Sequence, residues 1–148
     1  MKLSGIVYFL GCAIVSSALT TVTVSYTSVY DVSSNSLDTV ACSDGANGLE
    51  TKNYTTFGSL PKFPYIGGAS AVAGWNSANC GTCWQLTYTN TSSGSTRSIN
   101  VLVIDYTTSG FNIAEEAMND LTNGQAGKLG RINATSKQVA SSICGLQT

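Results

Sequence analysis

The side chains able to do chemistry in this chain are few, and their types narrow what that chemistry is. None of the 148 residues is a histidine. That removes Ser-His-Asp and Cys-His machinery and the commonest metal ligand. The cysteines are Cys12, Cys42, Cys80, Cys83 and Cys144. Cys80-Gly81-Thr82-Cys83 has the spacing of a redox pair, but it lacks a strand-to-helix setting, and two further cysteines are available as partners. Structural bridges are therefore the preferred reading. A four-cysteine zinc site is disfavoured, since only one close pair exists and the inferred compartment is oxidising. The glycine-rich stretches lack both the phosphate-loop lysine and the dinucleotide spacing. No metal and no cofactor is expected.

Two carboxylates stand out. Asp105 ends the apolar run Ile99 to Ile104, and Asp44 opens the turn Asp44-Gly45-Ala46-Asn47-Gly48. A barrel-type endoglycosidase would need a pair of carboxyl groups about 5–10 Å apart. Asp44 reads first as a turn-forming side chain, and Asp105 equally as a loop-ordering one. Binding asks less of them. Asp105 with Ser109-Gly110-Phe111-Asn112 offers carboxylate and amide groups to sugar hydroxyls and acetamido groups, and Phe111 or Tyr106 offers a ring to an apolar sugar face. Trp75 and Trp84 flank the cysteine pair, where packing against a bridge is the expected role. Glu115 and Glu116 read as an exposed first helical turn favoured by the helix dipole.

The elements that must position these residues are mainly strands. Val22 to Tyr26 alternates apolar and polar, the period of a half-buried strand. Asp44 to Gly48 is a dense turn signal. Leu60 to Tyr65 reads as extended, because residues before proline avoid the helix. Ala69 to Trp75 is a further candidate strand. Trp84 to Tyr88, the polar turn Asn90 to Ser95 and the run Ile99 to Ile104 form a hairpin whose second strand enters the core. One helix is legible, with Asn112 as its cap, Glu115 three residues on, an apolar stripe of Ile113, Ala114, Ala117, Met118 and Leu121, and Asn123-Gly124 as its stop. Arg131 to Ile143 leans to a strand. Many strands without a βαβ rhythm favour a closed β structure that hides its edges.

The ends and composition set the compartment. Lys2, the apolar stretch Ile6 to Val15 and Ser16-Ser17-Ala18 follow the order of a secretion signal, giving a leader over residues 1–18 and one domain over 19–148. The apolar run is too short for a bilayer span of about 20 residues. Cleavage removes Cys12, leaving Cys42, Cys80, Cys83 and Cys144 for two bridges in any of three pairings. Each bridge would add about 2–4 kcal/mol, so the protein should survive heating. Losing Lys2 takes the net charge from −1 to −2, and no basic run invites nucleic acid or an anionic membrane. Asn53, Asn90 and Asn133 each open a glycosylation sequon.

Several blocks carry a resemblance. They are Val22 to Tyr26, Cys42 to Leu49, Phe63 to Gly68, Val72 to Ser77, Cys80 to Trp84, Ser109 to Ile113, Gln138 to Ala140 and Cys144 to Leu146. Together they resemble the cerato-platanin family across essentially the whole mature chain. The resemblance implies a secreted fungal protein with a six-stranded double-psi β-barrel, one or two short helices, and the bridges Cys42–Cys80 and Cys83–Cys144. The fold would be related to the barrel domain of expansins. It implies binding of N-acetylglucosamine oligomers or chitin, non-hydrolytic loosening of cell-wall polysaccharide, elicitation of plant defence, and collection at air–water interfaces. The implied sugar groove falls on Ser43, Asp44, Gly45, Asn47, Gly48, Asp105, Tyr106, Ser109, Gly110, Phe111 and Asn112. Tyr106 departs from the pattern, since many members have histidine there, and the hairpin from Asn90 to Arg97 is longer than usual. The expected protein is extracellular, monomeric and non-catalytic, with polysaccharide and a plant receptor as partners. Two other readings compete with it, the endoglycosidase and a receptor-recognised or interface-assembling protein that needs no sugar.

Overall fold

The computed structural model describes residues 18–147. Residues 1–17 of the expected leader, with Lys2 and its apolar run, lie outside the described residues. Six strands, β1 (Thr20–Thr27), β2 (Ile66–Ala69), β3 (Cys83–Thr89), β4 (Thr96–Tyr106), β5 (Phe111–Ala114) and β6 (Arg131–Val139), close into a barrel in the order β1-β5-β2-β4-β3-β6. The pairs β1–β5 and β2–β4 are parallel and the other four are antiparallel. This is the double-psi barrel class the resemblance implied. Closure gives each of these six strands a paired neighbour on both sides.

The hydrophobic pattern explains the framework. Alternation along β1 puts Val24 in the core with Ser25 half-exposed beside it. In β4, Val101, Leu102, Val103 and Ile104 are all fully buried. The strand needs cover on both faces, which a continuous apolar run demands. The long connection from β1 to β2 helps supply it, carrying Tyr30, Leu37, Leu49, Phe57 and Leu60 into the buried cluster. The helix α1 (Glu115–Thr122) packs against β1, β3, β4 and β5, and α2 (Ala126–Leu129) follows it. Disulfides join Cys42 to Cys80 and Cys83 to Cys144, with Cα atoms 5.3 and 5.7 Å apart. The implied pairing is the one present.

Three local expectations are corrected. Leu60 to Tyr65 is a run of turns rather than an extended segment. Phe63 N–H donates to Leu60 O and Tyr65 N–H to Lys62 O, and the Phe63–Pro64 peptide is cis. Proline suits such turn positions as well as it suits extended chain. The strand expected over Ala69 to Trp75 is instead β2, which ends at Ala69, where a Val72 N–H to Ala69 O bond turns the chain. Asn112 does not cap the helix, because it sits inside β5. The cap is Asp31, whose carboxylate accepts from the Glu115 and Glu116 N–H groups at 2.8 and 3.0 Å. A negative group there satisfies open donors and complements the helix dipole. Glu115 and Glu116 occupy the first turn as read, and Asn123 closes the helix in the left-handed region.

Candidate functional site

The barrel's register lines up the polar residues of one half of the expected groove. Asp105 on β4 pairs with Gly68 on β2, Gly68 with Asn112 on β5, Asn112 with Ser25 on β1, and Ser25 with Arg131 on β6. Register neighbours share a face, at about 4.8 Å per strand. Asp105 and Asn112 thus stand about two strand spacings apart. Gly68 places no side chain between them, and a Cβ there would come within 2.9 Å of the Tyr106 carbonyl oxygen.

Asp105 is anchored as well as presented. Its Oδ1 accepts from the Ala41 and Tyr106 N–H groups at 3.0 and 2.8 Å, and its Oδ2 accepts from the Tyr30 hydroxyl at 2.9 Å. Burial, and then the Asp105 charge and hydrogen bond, push the Tyr30 hydroxyl far above the usual phenol range, so Tyr30 remains a donor. The loop-ordering role weighed for Asp105 is therefore real. A carboxylate has about four lone-pair sites, and three bonds leave one for an incoming hydroxyl. Asn112 Oδ1 accepts from the Ser25 hydroxyl at 3.1 Å, which leaves its amide N–H₂ without an acceptor among the described residues. Ser109 Oγ lies 3.4 Å from Thr23 Oγ1, and Gly110 passes close to the Thr23 carbonyl in a left-handed conformation. Tyr106 is 48% exposed, which leaves its ring accessible. Phe111 is corrected as a sugar-facing ring. It is 4% exposed and meets Trp84 edge-on, with centroids 5.6 Å apart.

The second half of the expected groove is the turn from Ser43 to Gly48. It joins the first half through the Ala41 bond to Asp105 and a Cys42 N–H to Ile104 O bond. Ser43 and Gly48 are buried, and Ser43 O accepts from Glu50 N–H to close the turn. Asp44 and Asn47 are exposed. The expected packing of Trp75 against a bridge is also corrected. Trp75 is 64% exposed, and its indole N–H donates to Asp44 Oδ1. Asn76 accepts at its Oδ1 and at its carbonyl from the Asn47 backbone N–H and side-chain amide, both at 2.9 Å. Gly45, at φ +81°, lies under this pair, where a Cβ would stand 2.8 Å from Asn76 Oδ1. The Asp38 and Asp44 carboxylates lie close enough to Glu50 that its carboxyl is raised, first by desolvation, then by a hydrogen bond with Asp38 and the two charges.

The two halves meet at one end of the barrel, and residues the sequence did not assign to the groove complete them. Ser25, Thr23 and Tyr30 support the strand half, while Trp75 and Asn76 support the loop half. Asn76 was detectable in principle, since asparagine is enriched at positive φ, and here its φ is 57°. Tyr30 carried no local signal. Among the described residues, no group of three or more His, Cys, Asp or Glu is arranged to hold a metal, and no helix is long and apolar enough to cross a membrane. Asn53 and Asn133 are exposed, and Asn90 is half-buried with its Oδ1 accepting from the Ser92 and Ser93 N–H groups.

A closed barrel with two bridges, carrying a shallow row of amide, hydroxyl and carboxylate groups, defines a small disulfide-linked β-barrel protein. A family model for Cerato-platanin matches residues 22–146, and the chain belongs to that family. It is 48% identical over 127 residues to the Heat-stable 19 kDa antigen of Coccidioides immitis, covering 86% of this chain and 83% of that one. The crystal structure of cerato-platanin 2 from M. perniciosa superposes with a TM-score of 0.81 at 49% identity, over 86% of this chain and 100% of that one. The solution structure of the fungal elicitor Cerato-Platanin gives a TM-score of 0.70 at 36% identity, over 82% and 95%.

Proposed function

We propose that this is a secreted, non-catalytic protein that binds N-acetylglucosamine oligomers or chitin-like cell-wall polysaccharide and loosens it. The observation that carries the reading is the cross-strand row Asp105–Gly68–Asn112–Ser25, with a carboxylate acceptor at Asp105 and an amide donor two strands away at Asn112. A polymer laid along it exchanges its interchain hydrogen bonds for bonds to Asp105 and Asn112. Competition of that kind separates chains without cleaving a bond. The two disulfides and the expected leader support an extracellular site of action. Asp105 already holds the Ala41 and Tyr106 N–H groups and the Tyr30 hydroxyl, which favours an anchor over a proton donor.

Titration of the disulfide-intact protein with soluble N-acetylglucosamine oligomers, alongside Asp105→Ala, tests the reading. Saturable binding weakened at least about tenfold in the variant, with no reducing ends released from polymer, supports it. Reducing ends released by the parent and abolished in Asp105→Asn would establish the endoglycosidase instead. A second reading is favoured by a relative's description as a fungal elicitor. A plant receptor would then recognise the surface itself, and elicitation would survive Asp105→Ala.

A further inference from the structure

Trp75 is a large apolar ring left 64% exposed, a state unusual for tryptophan, which is highly buried on average. It is nevertheless held in place. Its N–H is tied to Asp44 Oδ1. Its Cζ2 edge stands over Gly45, where a Cβ would approach to 3.1 Å. Its neighbour Asn76 is fixed to Asn47 by two hydrogen bonds, and the Cys42–Cys80 bridge links the two loops. A ring fixed in advance loses little conformational freedom when a ligand arrives.

The surroundings narrow the ligand. A protein-binding hot spot sits in a packed apolar pocket, whereas Trp75 is rimmed by Asp44, Asn47 and Asn76. An apolar plate with an amide and carboxylate rim matches a pyranose ring, which has a C–H face and a hydroxyl edge. The plate also lies within reach of the groove. Asp44 follows Ala41, the partner of Asp105, by three residues, at most about 11 Å of extended chain.

We propose that Trp75 is a stacking platform for a pyranose ring of the polysaccharide, and that Asp44 is the residue that aims it. This rests on the carbohydrate reading above and extends it. The polymer is gripped by hydrogen bonds at Asp105 and by an aromatic face one or more rings further along. Asp44, whose Oδ1 holds the indole, is a positioning residue.

The test uses the mature, disulfide-intact protein with Trp84→Phe as a single-tryptophan reporter, titrated with the dimer and the tetramer of N-acetylglucosamine. The tetramer should change Trp75 emission saturably. Trp75→Ala should weaken the tetramer about tenfold and leave the dimer unchanged, and Trp75→Phe should recover most of the loss. Asp44→Ala should shift the free-state emission of Trp75 and weaken the tetramer about threefold, whereas Asp44→Asn, which keeps an acceptor oxygen, should behave like the parent. Equal tetramer binding by Trp75→Ala and the parent, with Asp105 and Asn112 amides still responding, overturns the platform and leaves the groove standing. A parent that binds neither oligomer overturns both.

Discussion

The two halves of the proposed groove are built by different means. The Asp105 half is written into the barrel. Its row crosses β4, β2, β5 and β1 in register, and Asp105 is fixed by Tyr30, Ala41 and Tyr106. The Asp44 half is made of two loops with no ladder. It is held by the Cys42–Cys80 bridge, the Asn47–Asn76 pair and the Trp75–Asp44 bond. One half moves only if the barrel does, while the other can loosen with the barrel intact. As the proposed binding surface, this assembly keeps a rigid anchor and an adjustable second wall.

The contrast can be broken first at the bridge. Replacing Cys42 and Cys80 together by serine should cost about 2–4 kcal/mol, lowering Tm by about 10 °C. Far-ultraviolet circular dichroism should still report a barrel at room temperature, while hydrogen exchange rises in 43–48 and 74–77. Exchange rising equally in β4 and β5 would show that the halves are not separable.

Asp105→Ala should act on the other half. It strands the Ala41 and Tyr106 N–H groups and the Tyr30 hydroxyl, and should cost about 2 kcal/mol in denaturant unfolding as well as sugar affinity. A variant as stable as the parent would mean the three bonds do not anchor the row.

Tyr30 gives the strand half a pH signature. Its phenol is raised in the folded state by burial and then by Asp105, so folding favours the protonated form. The stabilisation is complete below the ordinary tyrosine value of about 10 and is lost as pH climbs past it. Tyr30→Phe should flatten the alkaline fall in stability. A residue of that fall should remain from Tyr65, raised by partial burial and its bond to Asp120. An unchanged alkaline limb would remove Tyr30 from the account.

The smallest effect belongs to the loop half. Gly45→Ala must hold φ +81° with its Cβ against Asn76, at about 1 kcal/mol. Urea melts should register that loss, and amide shifts should change at Asn47 and Asn76 but not at Asn112.

The sequence reveals the strand half better than the loop half, for a physical reason. Alternation in Val22 to Tyr26 and the apolar run Ile99 to Ile104, interrupted only at Asn100, are legible patterns, and the strands they announce carry Ser25 and Asp105 at half-exposed positions. The family resemblance then supplies the bridge pairing that four cysteines leave open. The errors arise where a long-range partner decides. Asp31 caps α1 from 84 residues away, so the local capping pattern drew the helix start back to Asn112. Trp75 beside a cysteine pair looks like core because composition carries no sign of exposure. Phe111 looks like a sugar platform because its neighbours Gly110 and Asn112 belong to the proposed groove, while strand alternation turns its ring inward.

The central claim is that the row from Asp105 to Asn112 binds a saccharide polymer. Residue-resolved amide shifts of the mature protein during titration with N-acetylglucosamine tetramer test it most directly. The account predicts saturable shifts at Gly68, Asp105, Tyr106 and Asn112, extending to Asp44 and Trp75, and lost in a folded Asp105→Ala variant. Shifts confined to other faces of the barrel, or none at millimolar sugar, would contradict it.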